Sequence, residues 1–132
     1  MDLISEDPQF LFDTAIRKLA EQGHKSRTAF NCAYQHGEDR CAIGWLMTDQ
    51  AISTLGDSVG SIGRLIENKR FFPGKVSAEF LQDLQSVHDT VCSSHSFRQQ
   101  ALTFAVFHKL NPDIVYQLLT PEWCQDTKWN KQ

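Results

Sequence analysis

Residues 28–47, TAFNCAYQHGEDRCAIGWLM, are the one stretch in which apolar residues do not recur at helical intervals throughout, and helical patterns flank them on both sides. The chain must therefore build a helical body around a single extended excursion. Residues 29–35 are short, aromatic-containing and free of proline, as a strand requires. His36-Gly37-Glu38-Asp39 is a polar turn in which Gly37 takes positive φ at no steric cost. Arg40-Cys41-Ala42-Ile43 then resumes in apolar residues, so the two runs predict a β-hairpin. A lone hairpin is marginal in water, and the helices must cover it. From Cys41 onward the period changes, with Ala42, Ile43, Leu46 and Met47 at helical spacing. The second strand is expected to run directly into a helix. The first free N–H groups of that helix would face the turn, with Arg40 and His36 beside them, as a seat for an anion.

Length and charge bound the rest. At 132 residues the chain makes one domain over 1–132, with an ordered core at 5–127 and a loose tail at 128–132. A chain of this size buries roughly two thirds of its unfolded surface, enough for a core without staples. The net charge of −3 argues against general nucleic-acid binding, which needs a basic face. There is no apolar run of the length a membrane span needs, and the acidic opening Met1-Asp2-Leu3-Ile4-Ser5-Glu6-Asp7 is unlike a signal peptide. A cytoplasmic location is expected, and with it four reduced cysteines.

Along the chain, capping residues punctuate helical patterns. Asp7-Pro8 opens the first helix, whose inner face is expected at Phe10, Phe12, Ile16, Leu19 and Ala20, and Gly23 ends it. Thr48 and Ser61 open two short helices, and Ser77 opens a longer one with Phe80, Leu81, Leu84, Val87, His88 and Val91 inward. Ser96 is expected to cap a helix over 97–110 that is apolar most of the way round, hence central and buried. Asn111-Pro112 and Thr120-Pro121 open two more, over 114–119 and 123–127. The predicted fold is mainly α: six to eight helices around one small β-hairpin.

Each candidate chemistry has a plainer counterpart. Cys32, His36 and Cys41 within ten residues suggest zinc, but Cys-x3-His-x4-Cys is not a standard spacing, and the fourth ligand would have to be His88, Cys92 or His95. Packed free thiols are the favoured reading, with a disulfide as a further alternative. His88-Asp89 is a doublet used by metal-dependent phosphohydrolases of the His-Asp class. Its companions would be His24 or His36, then Asp113 or Asp126, and these spacings match poorly. His88 also lies on an apolar stripe, where a hydrogen-bonded buried imidazole is the ordinary outcome. Cys92 and His95 are three apart on a helix, without an oxyanion donor in view.

The cations make a more suggestive set. His24, Lys25 and Arg27 precede the hairpin, Arg40 closes its turn, and Arg64, Lys69 and Arg70 flank a second irregular stretch. Trp45, Phe71 and Phe72 are interleaved with them. Charge for phosphate and ring faces for a base are what a nucleotide needs. Ordinary solvated surface over core aromatics is the competing reading.

The Cys41-Ala42-Ile43-Gly44-Trp45-Leu46-Met47 segment and the downstream Leu84-Gln85-Ser86-Val87-His88-Asp89 together resemble a family of small proteins in phage and prophage genomes. Its members carry Cys-Ala-[Ile/Val]-Gly-x-Leu-Ile and a later Leu-Gln-x-Ile-His-Asp helix. The resemblance covers two islands, about a quarter of the chain, and departs from the family at Trp45 and Val87. It implies a phage context rather than a reaction. The expectation is a phage-encoded, non-enzymatic, cytoplasmic protein of the infected or lysogenic host. It would capture a small anionic ligand, a linear or cyclic nucleotide immune signal, to counter host defence. Its expected contacts are Arg27, His36, Arg40, Trp45, Arg64, Lys69, Arg70 and His88. No cofactor, catalytic residue or metal is expected, and a homo-oligomer stays open. The alternatives are a protein-binding inhibitor of a host defence factor and a metal-dependent phosphohydrolase using His88-Asp89.

Overall fold

Each helix begins where the sequence supplies a side-chain oxygen for an otherwise unpaired N–H. The computed structural model describes residues 1–23, 34–58, 60–89 and 93–126, with residues 36, 88, 89 and 126 described by their backbone alone. Within these lie seven α-helices: α1 Pro8–Gln22, α2 Asp49–Leu55, α3 Ile62–Glu67, α4 Ala78–Asp89, α5 Ser94–Phe107, α6 Asp113–Leu118 and α7 Pro121–Asp126. Asp7, Thr48 and Ser61 accept from the N–H groups of Gln9, Ala51 and Gly63 at 3.0, 3.2 and 3.1 Å. Ser77 accepts from Phe80, Ser93 from Ser96, Asn111 from Asp113 and Thr120 from Trp123. The mainly α fold around one small hairpin is as the sequence predicts.

The C-terminal ends differ in their chemistry. Gly23 closes α1 at φ 76°, the left-handed conformation that glycine adopts freely. α3 and α5 close the same way, but on lysines: Lys69 at φ 58° and Lys109 at φ 56°. In each case the next residue reaches back, Arg70 N–H to Leu65 O and Leu110 N–H to Ala105 O, at 2.9 and 2.8 Å. Both are Schellman ends that carry a Cβ where none is favoured.

The core lies between α1, α4 and α5. Phe12 stacks on Phe104 with centroids 5.5 Å apart, and Phe80 meets Phe104 edge-on at 5.2 Å. α6 joins α1 through Gln9 and Asn111, which exchange side-chain-to-backbone bonds of 2.8 and 3.0 Å. α7 is held by Trp123, whose Nε1–H donates to Ala20 O at 3.1 Å, and by the Ser94 hydroxyl, which donates to Cys124 O at 2.6 Å. No described helix is long and apolar enough to cross a membrane.

Several expectations are corrected. The paired strands are only β1 Gln35–His36 and β2 Asp39–Arg40, in antiparallel register around the turn at Gly37 and Glu38. Cys41, Ala42 and Ile43 are core residues, not strand, and the helix expected at 42–47 is a single 3-10 turn, Gly44–Leu46. Residues 29–33 lie outside the described residues. α5 is capped by Ser93, three residues before the expected cap, which brings Ser94 inside the helix to reach Cys124. It is also not buried all round. Phe97, Ala101, Phe104 and Ala105 face the core, while Val106 and Phe107 are 77% and 67% exposed. On α1 the buried face includes Leu11 and Ala15, and Phe10 stands outside it. The core also begins earlier than residue 5. Leu3 is buried and bridged to Met47, and Asp2 pairs twice with Phe72, through its own N–H and through its carboxylate.

The αL lysines yield a direct test. Lys109→Gly removes a Cβ penalty of about 1 kcal/mol, part of which the more flexible unfolded chain takes back. The expected result is a melting midpoint raised by on the order of 1–3 °C in calorimetry.

Candidate functional site

Two groups of basic side chains emerge, each on backbone held by a different glutamine. The first forms where the hairpin meets the end of α1. The Gln22 carboxamide donates to Arg40 O at 3.0 Å, and its oxygen accepts from Arg40 N–H at 2.8 Å and from the Trp45 indole N–H at 3.1 Å. Strand β2 and the 3-10 turn are thereby locked to the last turn of α1. The Arg40 guanidinium lies 5.0 Å from the Trp45 ring centroid, and the Lys18 ammonium lies 5.4 Å from it. Gly44 is required here for space: a Cβ would stand 2.0 Å from the carbonyl oxygen of Tyr34. Its N–H donates to the buried Cys41 sulfur at 3.4 Å.

The second group surrounds α3. Arg64 and Arg70 line a polar cleft of about 500 Å³ together with Ser58, Ser61, Glu67, Asn68 and Gln82. Its inner edge is held from α4. The Gln85 side chain is buried, its oxygen accepts from Ile62 N–H at 3.0 Å, and its nitrogen donates to Gly60 O at 2.8 Å. The buried Tyr34 hydroxyl donates to the same Gly60 carbonyl at 3.0 Å, and Tyr34 N–H donates to Ser58 O. The loop that opens the cleft is thus pinned from both α4 and the hairpin. Gly63 lacks the Cβ that would overlap the Gln82 carboxamide, so that side chain lies flat against α3.

The expected contact residues divide accordingly. Arg40 and Trp45 stand together at the first group, and Arg64 and Arg70 stand together at the cleft. Lys69 turns with its αL backbone and is not among the residues lining the cleft. Arg27 and the side chains of His36 and His88 lie outside the described residues. Neither Phe71, which is in the core, nor the exposed Phe72 lines the cleft, so the expected interleaving of rings with cations does not occur there. Among the described residues no three His, Cys, Asp or Glu side chains group to hold a metal, and Cys32 and Cys92 are outside them.

Other residues escaped sequence reading. The half-buried Gln22 and the buried Gln85 sit among apolar positions of their helices, which is the only local signal of a carboxamide turned inward. His108 bonds Asp83 at 2.9 Å across α5 and α4, enclosed by Phe80, Phe104 and Phe107. Beside that pair runs an apolar groove of about 280 Å³. Cys41 and Cys124 are buried in the core. Burial pushes the Cys124 thiol above its ordinary value, while nearby Arg98 and the Ser94 hydrogen bond pull it partly back. Comparison of the chain with protein-family models, curated proteins and solved structures finds no match.

Gln85→Leu keeps the volume but takes the acceptor from Ile62 N–H and leaves Gly60 O with the Tyr34 hydroxyl alone. A loss of roughly 2–3 kcal/mol is expected, a fall of about 10 °C in midpoint. Because the folded state favours the protonated Cys124 thiol, its stabilising contribution is full below the unfolded thiol's pKa. It is lost as pH rises through the folded one. Alkylation of Cys124 by iodoacetamide in the native protein should therefore lag behind that in denaturant at neutral pH, read by peptide mass spectrometry.

Proposed function

We propose that the protein binds a small phosphate-bearing ligand in the cleft beside α3 and holds it without transforming it. The observation that carries this reading is the pairing of Arg64 and Arg70 on one polar cleft large enough for a mononucleotide. Guanidinium groups engage phosphate oxygens bidentately, and charge-assisted bonds of this kind are the strong ones. Among the described residues no carboxylate stands in ion-pair range of either arginine, so both charges are available to an anion. Glu67 lines the same cleft and suits a hydroxyl or amino donor, which a nucleotide has and bare phosphate lacks. The likeness of the Cys41–Met47 and Leu84–Asp89 segments to phage proteins supports the wider reading, capture of a linear or cyclic nucleotide signal of host defence. Oligomer formation belongs to the same proposal.

A second reading, a protein-binding inhibitor, draws on a different observation. Val106 and Phe107 stand largely exposed beside the apolar groove of α4 and α5, as residues of an interface would.

A thermal-shift panel of linear and cyclic nucleotides, with chromatography of the released ligand, tests the first. At a hundred times Kd the ligand adds roughly 2.7 kcal/mol, a rise on the order of 5–10 °C. Arg64→Gln and Arg70→Gln should each weaken binding by about tenfold or more. Intact ligand after release is the expected result. Consumed ligand favours a hydrolase, and no shift with any nucleotide sinks the small-ligand reading.

A further inference from the structure

The cluster at Lys18, Arg40 and Trp45 stands apart from the cleft: none of the three is among the residues that line it. Two cations are held against one half-buried indole, and like charges so placed repel. The ring face offsets this in part, since a cation over tryptophan is attracted by its quadrupole. Among the described residues no carboxylate lies in ion-pair range of Lys18 or Arg40. The Arg40 backbone and the Trp45 ring are nevertheless fixed. Gln22 uses its oxygen on Arg40 N–H and on the Trp45 indole, and its nitrogen on Arg40 O. All three bonds hold backbone or ring and leave both cationic groups uncommitted.

We infer that this cluster is a second anion seat, built for a compact oxyanion of the phosphate class carried by a small molecule. Arg40 supplies a planar fork for two oxygens and Lys18 a point charge for a third. Trp45 orients the cations. With its ring already engaged by them at 5.0 and 5.4 Å, it acts as their support and not as a stacking platform for a base. The seat thus selects charge and compactness, which inorganic pyrophosphate has. Its ordering cost is reduced because the ring and the Arg40 backbone are in place before the ligand arrives.

The test is titration of the full chain with pyrophosphate, by calorimetry at two temperatures, at constant ionic strength set with sodium chloride. Saturable binding is expected, weakened about tenfold or more in Lys18→Gln and in Arg40→Gln. Both variants should keep the wild-type melting midpoint, because the Gln22 bonds do not involve the side chains removed. The double variant Arg64→Gln/Arg70→Gln should retain this binding, which separates the seat from the cleft. Absence of saturable binding at either temperature overturns the inference. So does binding that, in the Arg64→Gln/Arg70→Gln background, survives both Lys18→Gln and Arg40→Gln, or that disappears only with the arginines of the cleft.

Discussion

A carboxamide in the core must find partners for both its ends or cost more than it contributes. The Gln85 side chain meets that demand by joining three parts of the chain that are distant in sequence. From α4 it holds the Gly60 carbonyl and the Ile62 N–H, and the Tyr34 hydroxyl from the hairpin closes on the same carbonyl. The start of α3, the rim of the polar cleft and the position of the hairpin all follow from this one buried group. Gln22 does the same work on the other side, tying α1 to β2 and to the 3-10 turn. In a fold with only two residues in each strand, the hairpin owes little to its own ladder and much to these two side chains.

The helices were legible because their signals are local. Asp7, Thr48, Ser61, Ser77, Asn111 and Thr120 each cap the helix that their sequence context predicts. The exception is instructive. The serines around residue 95 offer several equivalent oxygens, and the choice of Ser93 is made by a distant event, the packing of Ser94 against Cys124. Periodicity also does not tell that α5 has partners on one side only, so Val106 and Phe107 are exposed where an all-round apolar pattern predicts interior. The short extent of the strands was hidden for a related reason: Cys41, Ala42 and Ile43 are apolar because they are core, and apolar character alone does not separate strand from buried turn.

For the candidate sites, sequence identified the residue types and could not supply their grouping. Arg40 with Trp45, and Arg64 with Arg70, separate into two places because α3 and the hairpin present different surfaces. Lys18 belongs to the first place although nothing in its local sequence marks it. Glycines carry part of the same information. Gly44 is a matter of backbone clearance from Tyr34, a steric requirement independent of any ligand.

The strap at the N-terminal end has a consequence for how the cleft is ordered. Asp2 meets Phe72 through two hydrogen bonds, two residues after Arg70, and Glu6 accepts from the N–H of Lys75. These contacts close a loop of about seventy residues, the kind of closure that forms late because its entropy must be met by contacts already in place. Arg70 itself is held locally, its N–H donating to Leu65 O beside the buried Phe71. The segment that follows Arg70 is thus tied to the opposite end of the sequence, so a change at Asp2 or Glu6 is expected to reach the edge of the cleft.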